Sequence, residues 1–304
     1  MKRPTEFKKI LFVLNPIAGD LAKEDVKKLS QEYCETEQLE QEVYVTTGQD
    51  DEKELEQLLQ KGFDLVVAIG GDGTVSLVAK LLNHTSITLG ILPQGSGNGL
   101  SKDLGIPQDI PAALNIIKNG KIKAIDSLEI NGQPAFHLCD LGFNARIVKM
   151  FCEGRTRGPG AYAKIAFQEY LAYEPFTYQI KTDQETFAGP AFMLTIANAN
   201  AFGSNAAINP EGEVDDGFFE ICMIEPFPGT AALGILYDLY TNSIQKSVYS
   251  RILKCKEATI TKEPNDILQI DGEPVPTIAD EIFVKLYKRS LKVLVPASLE
   301  PAVT

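Results

Sequence analysis

Short apolar runs alternate with segments whose apolar positions recur at helical spacing through the first part of the chain. Lys9–Leu14 (KILFVL) is such a run, and it stops at Asn15-Pro16, where the residue before proline is steered out of regular structure. Val26, Leu29 and Tyr33 then fall at i, i+3 and i+7 in a charged stretch, which predicts an amphipathic helix. Glu42–Thr46 predicts a second strand, and Asp50 is placed to cap a helix whose Leu55, Leu58 and Leu59 share one face. Leu65–Ile69 is uniformly apolar, as in a parallel strand buried on both faces, and runs into Gly70-Gly71-Asp72-Gly73-Thr74. Val75, Val78, Ala79 and Leu82 form another helical face. Leu89–Leu92 is a further strand and leads into Pro93-Gln94-Gly95-Ser96-Gly97-Asn98-Gly99. This alternation predicts a right-handed parallel α/β sheet, with its ligand beyond the carboxyl ends of the strands, where both glycine runs fall.

Near Lys121 the pattern changes. Ala124–Ile130 and Gln133–Phe143 flank Asn131-Gly132, a strong hairpin signal. Further strands are predicted at Thr177–Thr182, Phe192–Ala199, Phe218–Glu225, Ala258–Lys262, Ile267–Ile270 and Ile282–Tyr287. Most connect without helices, so an antiparallel β-sandwich is expected. Helices are predicted only around Ala161–Ala172 and Thr230–Ser243. The domain reading is 1–124 for the α/β part, 125–290 for the sandwich, and 291–304 as a C-terminal segment that could return to the first domain.

Composition narrows the function classes. With 304 residues, two domains are expected, each able to bury a core without staples. The net charge of −12 argues against a nucleic-acid binder, which needs clustered cations. No run approaches the ~18 apolar residues of a membrane span, and the N-terminus lacks the apolar stretch of a signal peptide. Five cysteines without a CxxC pair predict a reduced, cytoplasmic protein.

The glycine loops carry the chemistry. Three glycines at the start of a helix let backbone N–H groups approach a phosphate, and the helix terminus favours negative charge. Asp72 would repel that phosphate unless a cation lies between them, so a Mg²⁺-nucleotide is expected. The alternative is a glycine-rich turn with Asp72 as a helix cap. Gly95-Ser96-Gly97-Asn98 adds two flexible positions with hydroxyl and amide groups. Asn15 and Thr46/Thr47 would stand at the same sheet edge. No GxxxxGK[ST] occurs, nor a GxGxxG followed by an acid ~20 residues on, which disfavours Walker-type and dinucleotide sites.

Asn15-Pro16-Ile17-Ala18-Gly19, Gly70–Thr74 and Leu92–Asn98, in this order and spacing, resemble the diacylglycerol/sphingosine kinase-type lipid kinase family. The resemblance continues through Ile125-Asp126, Leu141–Ala145 and Arg157–Tyr162 and ends at Asp271-Gly272-Glu273. It implies a phosphofructokinase/NAD kinase-like α/β domain joined to a β-sandwich, and ATP-dependent, Mg²⁺-dependent phosphorylation of a hydroxyl on a diacylglycerol-like or sphingoid lipid. By the same resemblance, Asn15, Thr47, Gly70, Gly71, Asp72, Gly73, Thr74, Gly95, Ser96 and Asn98 would hold nucleotide. Glu273 would be the proton acceptor with Asp271 as competitor, although Asp271-Gly272 also reads as a hairpin turn. The resemblance further implies a structural Mg²⁺ in the acidic loop, on the Asp216 carboxylate and backbone carbonyls near Glu213 and Phe218. A solvated acidic turn is the alternative there.

Several features depart from that family or stay open. Gly99 replaces an acid common after the second loop, Ser96 replaces threonine, and Ser76 stands where asparagine is frequent. A kinase of a soluble acceptor, as in the NAD kinases, and a catalytically weakened nucleotide-binding regulator are the alternatives. Arg146, Lys149, Arg155, Arg157 and Lys164 form a basic stretch suited to lipid headgroups or phosphates. Phe151, Tyr162, Phe167, Tyr170 and Tyr173 offer a lipid groove or ordinary core packing. The expected partner is a lipid at a membrane surface, met transiently by a cytoplasmic enzyme at the inner membrane. A homodimer stays open.

Overall fold

The computed structural model describes residues 7–17, 23–153, 165, 168–170, 172–264, 266–275 and 279–297. The chain divides into one unit of Met1–Ile125 with Arg289–Thr304 and another of Asp126–Lys288.

The first unit alternates β1 (Lys9–Leu14), α1 (Lys23–Glu37), β2 (Glu40–Val45), α2 (Asp51–Leu59), β3 (Leu65–Gly70), α3 (Asp72–Leu82), β4 (Thr88–Pro93), α4 (Gly99–Asp103) and α5 (Ile110–Asn119). Its strands are parallel in the order β2-β1-β3-β4. β3 and β4 are buried along their whole length, as uniformly apolar runs should be between two layers of helices. Asp50 does not cap α2. It adopts φ 56° and makes no side-chain cap bond. Asp51, the first residue of the helix, reaches back instead to the preceding loop, its two carboxylate oxygens accepting Thr47 N–H and Gly48 N–H, each at 2.8 Å. The short α4 and α5 escaped the sequence reading; α5 starts at Asp109, whose side chain accepts Ala112 N–H at 3.0 Å.

β5 (Lys121–Ile130) leads into the second unit, which adds β6 (Gln133–Ala135), β7 (Leu138–Gly142), α6 (Phe143–Glu153), β8 (Phe176–Thr182), β9 (Thr186–Ala191), β10 (Met193–Ala197) and β11 (Phe219–Ile224). After them come α7 (Ala232–Tyr240), β12 (Ser250–Cys255), β13 (Glu257–Thr261), β14 (Leu268–Ile270), β15 (Glu273–Val275) and β16 (Glu281–Val295). One antiparallel sheet runs β12-β11-β10-β7-β14-β15; the other joins β9, β8, β13 and the first half of β16, with β5 and β6 on β16. Residues of both sheets, among them Tyr178, Leu194, Phe219, Ile221 and Ile260, form one buried core, which makes this a β-sandwich. After Arg289, at φ 50°, β16 continues in the first unit, where Lys292 and Val293 pair parallel with Thr88 and Leu89 of β4. Among the described residues no helix is long and apolar enough to cross a membrane.

The strand predicted over Gln133–Phe143 is broken: β6 and β7 belong to different sheets, and Phe143 opens α6. The break is made by a side chain distant in sequence. The Asp271 carboxylate takes the N–H groups of both Phe136 and His137, at 3.0 and 2.9 Å, so these residues donate to a side chain. β9 and β12 were missed because Thr186–Ala191 carries Gly189 and Pro190, and Ser250–Cys255 carries two cations. Of the helix expected over Ala161–Ala172, residues 165 and 168–170 are helical and the rest lies mostly outside the described residues.

Candidate functional site

The parallel register sets the nucleotide side of the first unit. Leu14 pairs with both Val45 and Ile69, and Gly70 pairs with Pro93, so four strands end together. The segments that follow them, from Asn15, Thr46, Gly71 and Gln94, therefore emerge on one edge. Asn15 Nδ2 donates to Thr74 Oγ1 at 3.1 Å, tying the end of β1 to the first turn of α3. Gln94 N–H donates to Gly70 O at 2.8 Å.

The two glycine loops are in contact because neither carries a side chain there. A Cβ on Gly95 would lie 2.6 Å from Gly71 Cα, and one on Gly97 would lie 2.6 Å from Asp72 Oδ2. Asp72 then locks the loops together. Its Oδ2 accepts Asn98 N–H at 2.9 Å and its Oδ1 accepts Gly99 N–H at 2.8 Å. It is not the helix cap; Gly71 holds that position, in an extended conformation. Gly99, a departure from the family pattern, thus supplies one of the two donors that hold the acid.

These residues differ in what they leave available. Asn98 stands at φ 54°, and its amide is committed to the loop: Oδ1 accepts Gly95 N–H at 2.8 Å, while Nδ2 donates to Gly95 O and Gln108 Oε1 at 2.8 and 3.0 Å. Asn98 shapes the loop, and Ser96 beside it is exposed. Thr47 Oγ1 donates to Gln49 O at 2.8 Å and to Asp51 at 3.1 Å, which turns it into the start of α2. The first-turn N–H groups at Asp72 and Gly73 lack intrahelical partners by helix geometry and can meet phosphate. Each Asp72 oxygen takes one backbone donor and keeps a lone pair. That suits Mg²⁺, which needs one or two carboxylates beside phosphate oxygens and water. Among the described residues no group of three or more His, Cys, Asp or Glu is arranged around a metal.

On the second unit, Asp271 (φ 49°) and Gly272 (φ 89°) form the tight turn between β14 and β15. Asp271 is 8% exposed and its carboxylate is occupied by the two N–H groups named above, whereas Glu273 is exposed. A second acid, which the sequence reading missed, supports this turn. Asp140 in β7 is fully buried. Its Oδ1 accepts Thr195 Oγ–H at 2.5 Å and its Oδ2 accepts Asn144 Nδ2–H at 2.6 Å. Gln269 Nε2–H also donates to Oδ2, and Gln269 Oε1 in turn accepts Gly272 N–H at 2.6 Å. Burial pushes the Asp140 carboxyl up to about 6, against the pull of these three donors and, least, of His137. The legible signal was a carboxylate inside the apolar run Leu138–Gly142.

The acidic loop is built around Asp126, which is fully buried and accepts Gly217 N–H at 2.7 Å. Asp216 Oδ1 accepts Phe218 N–H at 2.9 Å, and Oδ2 receives Lys254 Nζ at 2.6 Å. Lys254 also lies 3.3 Å from Glu220, so the cation on this loop is an ammonium. A metal ion on Asp216 would have to compete with it. Glu213 is exposed.

Of the basic stretch, Arg146 pairs with Glu169 at 2.6 Å and Lys149 with Glu153 at 4.0 Å. Arg155, Arg157 and Lys164 lie outside the described residues, as do Ala18, Gly19, Tyr162, Phe167 and the Phe151 side chain. Tyr170 and Tyr173 pack with Phe143, Phe192 and Phe227 in an aromatic cluster, so both take part in packing.

A parallel α/β unit with two interlocked glycine loops at its carboxyl edge, carried with an antiparallel sandwich, defines a phosphate-handling enzyme class. The "Diacylglycerol kinase catalytic domain" family matches residues 9–130, and the "YegS C-terminal NAD kinase beta sandwich-like domain" family matches residues 139–295. The chain belongs to this diacylglycerol kinase/YegS-like lipid kinase family, whose members use ATP. A relative named "Uncharacterized protein sll0036" from Synechocystis sp. is 30% identical, the match covering 93% of this chain and 69% of the relative. A protein named "Diacylglycerol kinase" from Staphylococcus saprophyticus is 26% identical over 71% of this chain and 72% of its own. The fold matches a crystal structure of a diacylglycerol kinase from Bacillus anthracis with a TM-score of 0.72 at 21% identity, over 99% of this chain and 100% of that one.

Proposed function

We propose that the protein transfers the γ-phosphoryl group of Mg²⁺-ATP to a hydroxyl of a diacylglycerol-like or sphingoid lipid, working as a peripheral enzyme at a membrane surface. The Asp72 lock between the two glycine loops carries the reading: it holds backbone donors and one carboxylate together where a phosphate chain with its cation would sit. Gly70–Thr74, Gly95 and Ser96 would line that chain, with Asn15 and Asn98 holding the loops in shape. Mg²⁺, when bound, would neutralise charge developing on the transferred group. Glu273 would accept the proton of the attacking hydroxyl, a role for which its exposure suits it better than the buried, doubly hydrogen-bonded Asp271.

Incubation with γ-labelled ATP, Mg²⁺ and a panel of diacylglycerol, monoacylglycerol, sphingoid lipids and NAD tests this directly. Label should enter one lipid class and be lost in Asp72→Asn, whose amide cannot accept from both Asn98 and Gly99. Labelled NAD, or ATP binding with no labelled acceptor, would overturn the reading.

A further inference from the structure

α7 wears its apolar residues on the outside. Ile235 is 7% exposed, whereas Leu233, Leu236, Tyr237 and Tyr240 are 80%, 49%, 68% and 54% exposed. These four stand at i, i+3, i+4 and i+7, so at about 100° per residue they fall within roughly 100° of the helix circumference and form one stripe. The helix has a single ionisable carboxylate, Asp238, which is used in the following turn, accepting Ser243 Oγ–H at 3.0 Å. The stripe itself carries no charge.

We propose that this stripe is a bilayer-docking surface, on which α7 lies in the interfacial zone with its leucines among the acyl chains and its tyrosines at headgroup level. The proposal rests on the lipid acceptor inferred above. Leucine and tyrosine on one helix face match that zone, where an aromatic ring has an apolar body to bury and a hydroxyl to keep wet. A second copy of the chain is a poor occupant. A helix of nine residues is roughly 14 Å long and offers a few hundred Å², against about 800 Å² per partner in a stable dimer. Charge points the same way. A chain of net charge −12 is repelled by an anionic surface, so attachment must come from apolar insertion, with a zwitterionic surface preferred.

The chain contains no tryptophan, so Tyr237→Trp places a single reporter on the stripe. With phosphatidylcholine vesicles its emission should shift to the blue and be quenched by lipids brominated on the acyl chain. Binding should be insensitive to salt and weaken when phosphatidylglycerol is added. Leu233→Ser with Leu236→Ser should lower vesicle partitioning by about tenfold or more. The same variant should keep the wild-type Tm and its rate on a monomeric short-chain diacylglycerol, because both side chains are already exposed. No blue shift, or equal flotation of the double variant with vesicles, would overturn the proposal. So would a blue shift without vesicles that tracks a doubling of mass. Vesicle binding without any labelled lipid would uphold the docking surface and remove the lipid acceptor.

Discussion

Asp140 provides a quantitative test of how the Asp271-Gly272-Glu273 turn is supported. Its carboxyl is pushed from the ordinary 3.8 up to about 6 by burial. A folded state that binds this proton more tightly than the unfolded chain gains stability at low pH. That gain is complete below the unfolded value and is lost as pH rises through the folded one. Two pH units correspond to roughly 3 kcal/mol at about 1.4 kcal/mol each. Asp140→Asn removes the titration but keeps the contacts: its carbonyl can face Asn144 and Gln269, and its amide can donate to Thr195, whose hydroxyl rotates to accept. Urea unfolding of both proteins between about pH 4 and pH 7 should show the variant gaining on wild type by up to roughly 3 kcal/mol across that window. Asp140→Ala strands three donors and should instead cost about 3 kcal/mol or more at neutral pH. It should also lower turnover, because Gln269 would no longer be held against Gly272. Parallel pH curves for wild type and Asp140→Asn, or an undiminished Asp140→Ala, would refute the reasoning.

Glu273→Gln should lower kcat by roughly 100-fold or more while ATP affinity, measured by calorimetry, stays near wild type; full activity would place the base elsewhere. Gly95→Ala puts a methyl 2.6 Å from Gly71 Cα and should cost most of the ATP affinity while the sandwich stays folded, as read by ATP titration and near-UV dichroism. Lys254→Met leaves Asp216 and Glu220 without their shared ammonium, so its Tm should fall and be raised again by added Mg²⁺, with wild type insensitive. An Mg²⁺-dependent rise in wild-type Tm that Asp216→Ala abolishes would show that a metal displaces the lysine.

The alternation of apolar runs and helical stripes was enough to recover the strands of the first unit to within a residue or two at Lys9–Leu14, Leu65–Gly70 and Thr88–Pro93. A buried parallel strand must be apolar on both faces, so its composition alone declares it. The glycine loops were legible for a related reason: close backbone approach excludes a Cβ, and only glycine supplies that. Asn131-Gly132 was legible as a hairpin because both residues must take positive φ.

Tertiary structure decided the rest wherever a polar side chain acts on backbone distant in sequence. Asp72 reads locally as a helix cap, yet its partners Asn98 and Gly99 are 26 and 27 residues away. Asp271 reads as a turn residue, yet it splits a predicted strand 134 residues upstream by taking the N–H of His137. Asp140 and Gln269, 129 residues apart, read as flaws in apolar strands until they are seen joined. Periodicity reports which face of an element is buried, and it carries no term for a hydrogen bond across such a separation. The apolar face of α7 shows the same limit from the other side: the sequence reading placed a helix around Thr230–Ser243, and only the packing of Ile235 revealed that the larger apolar stripe points away from the core.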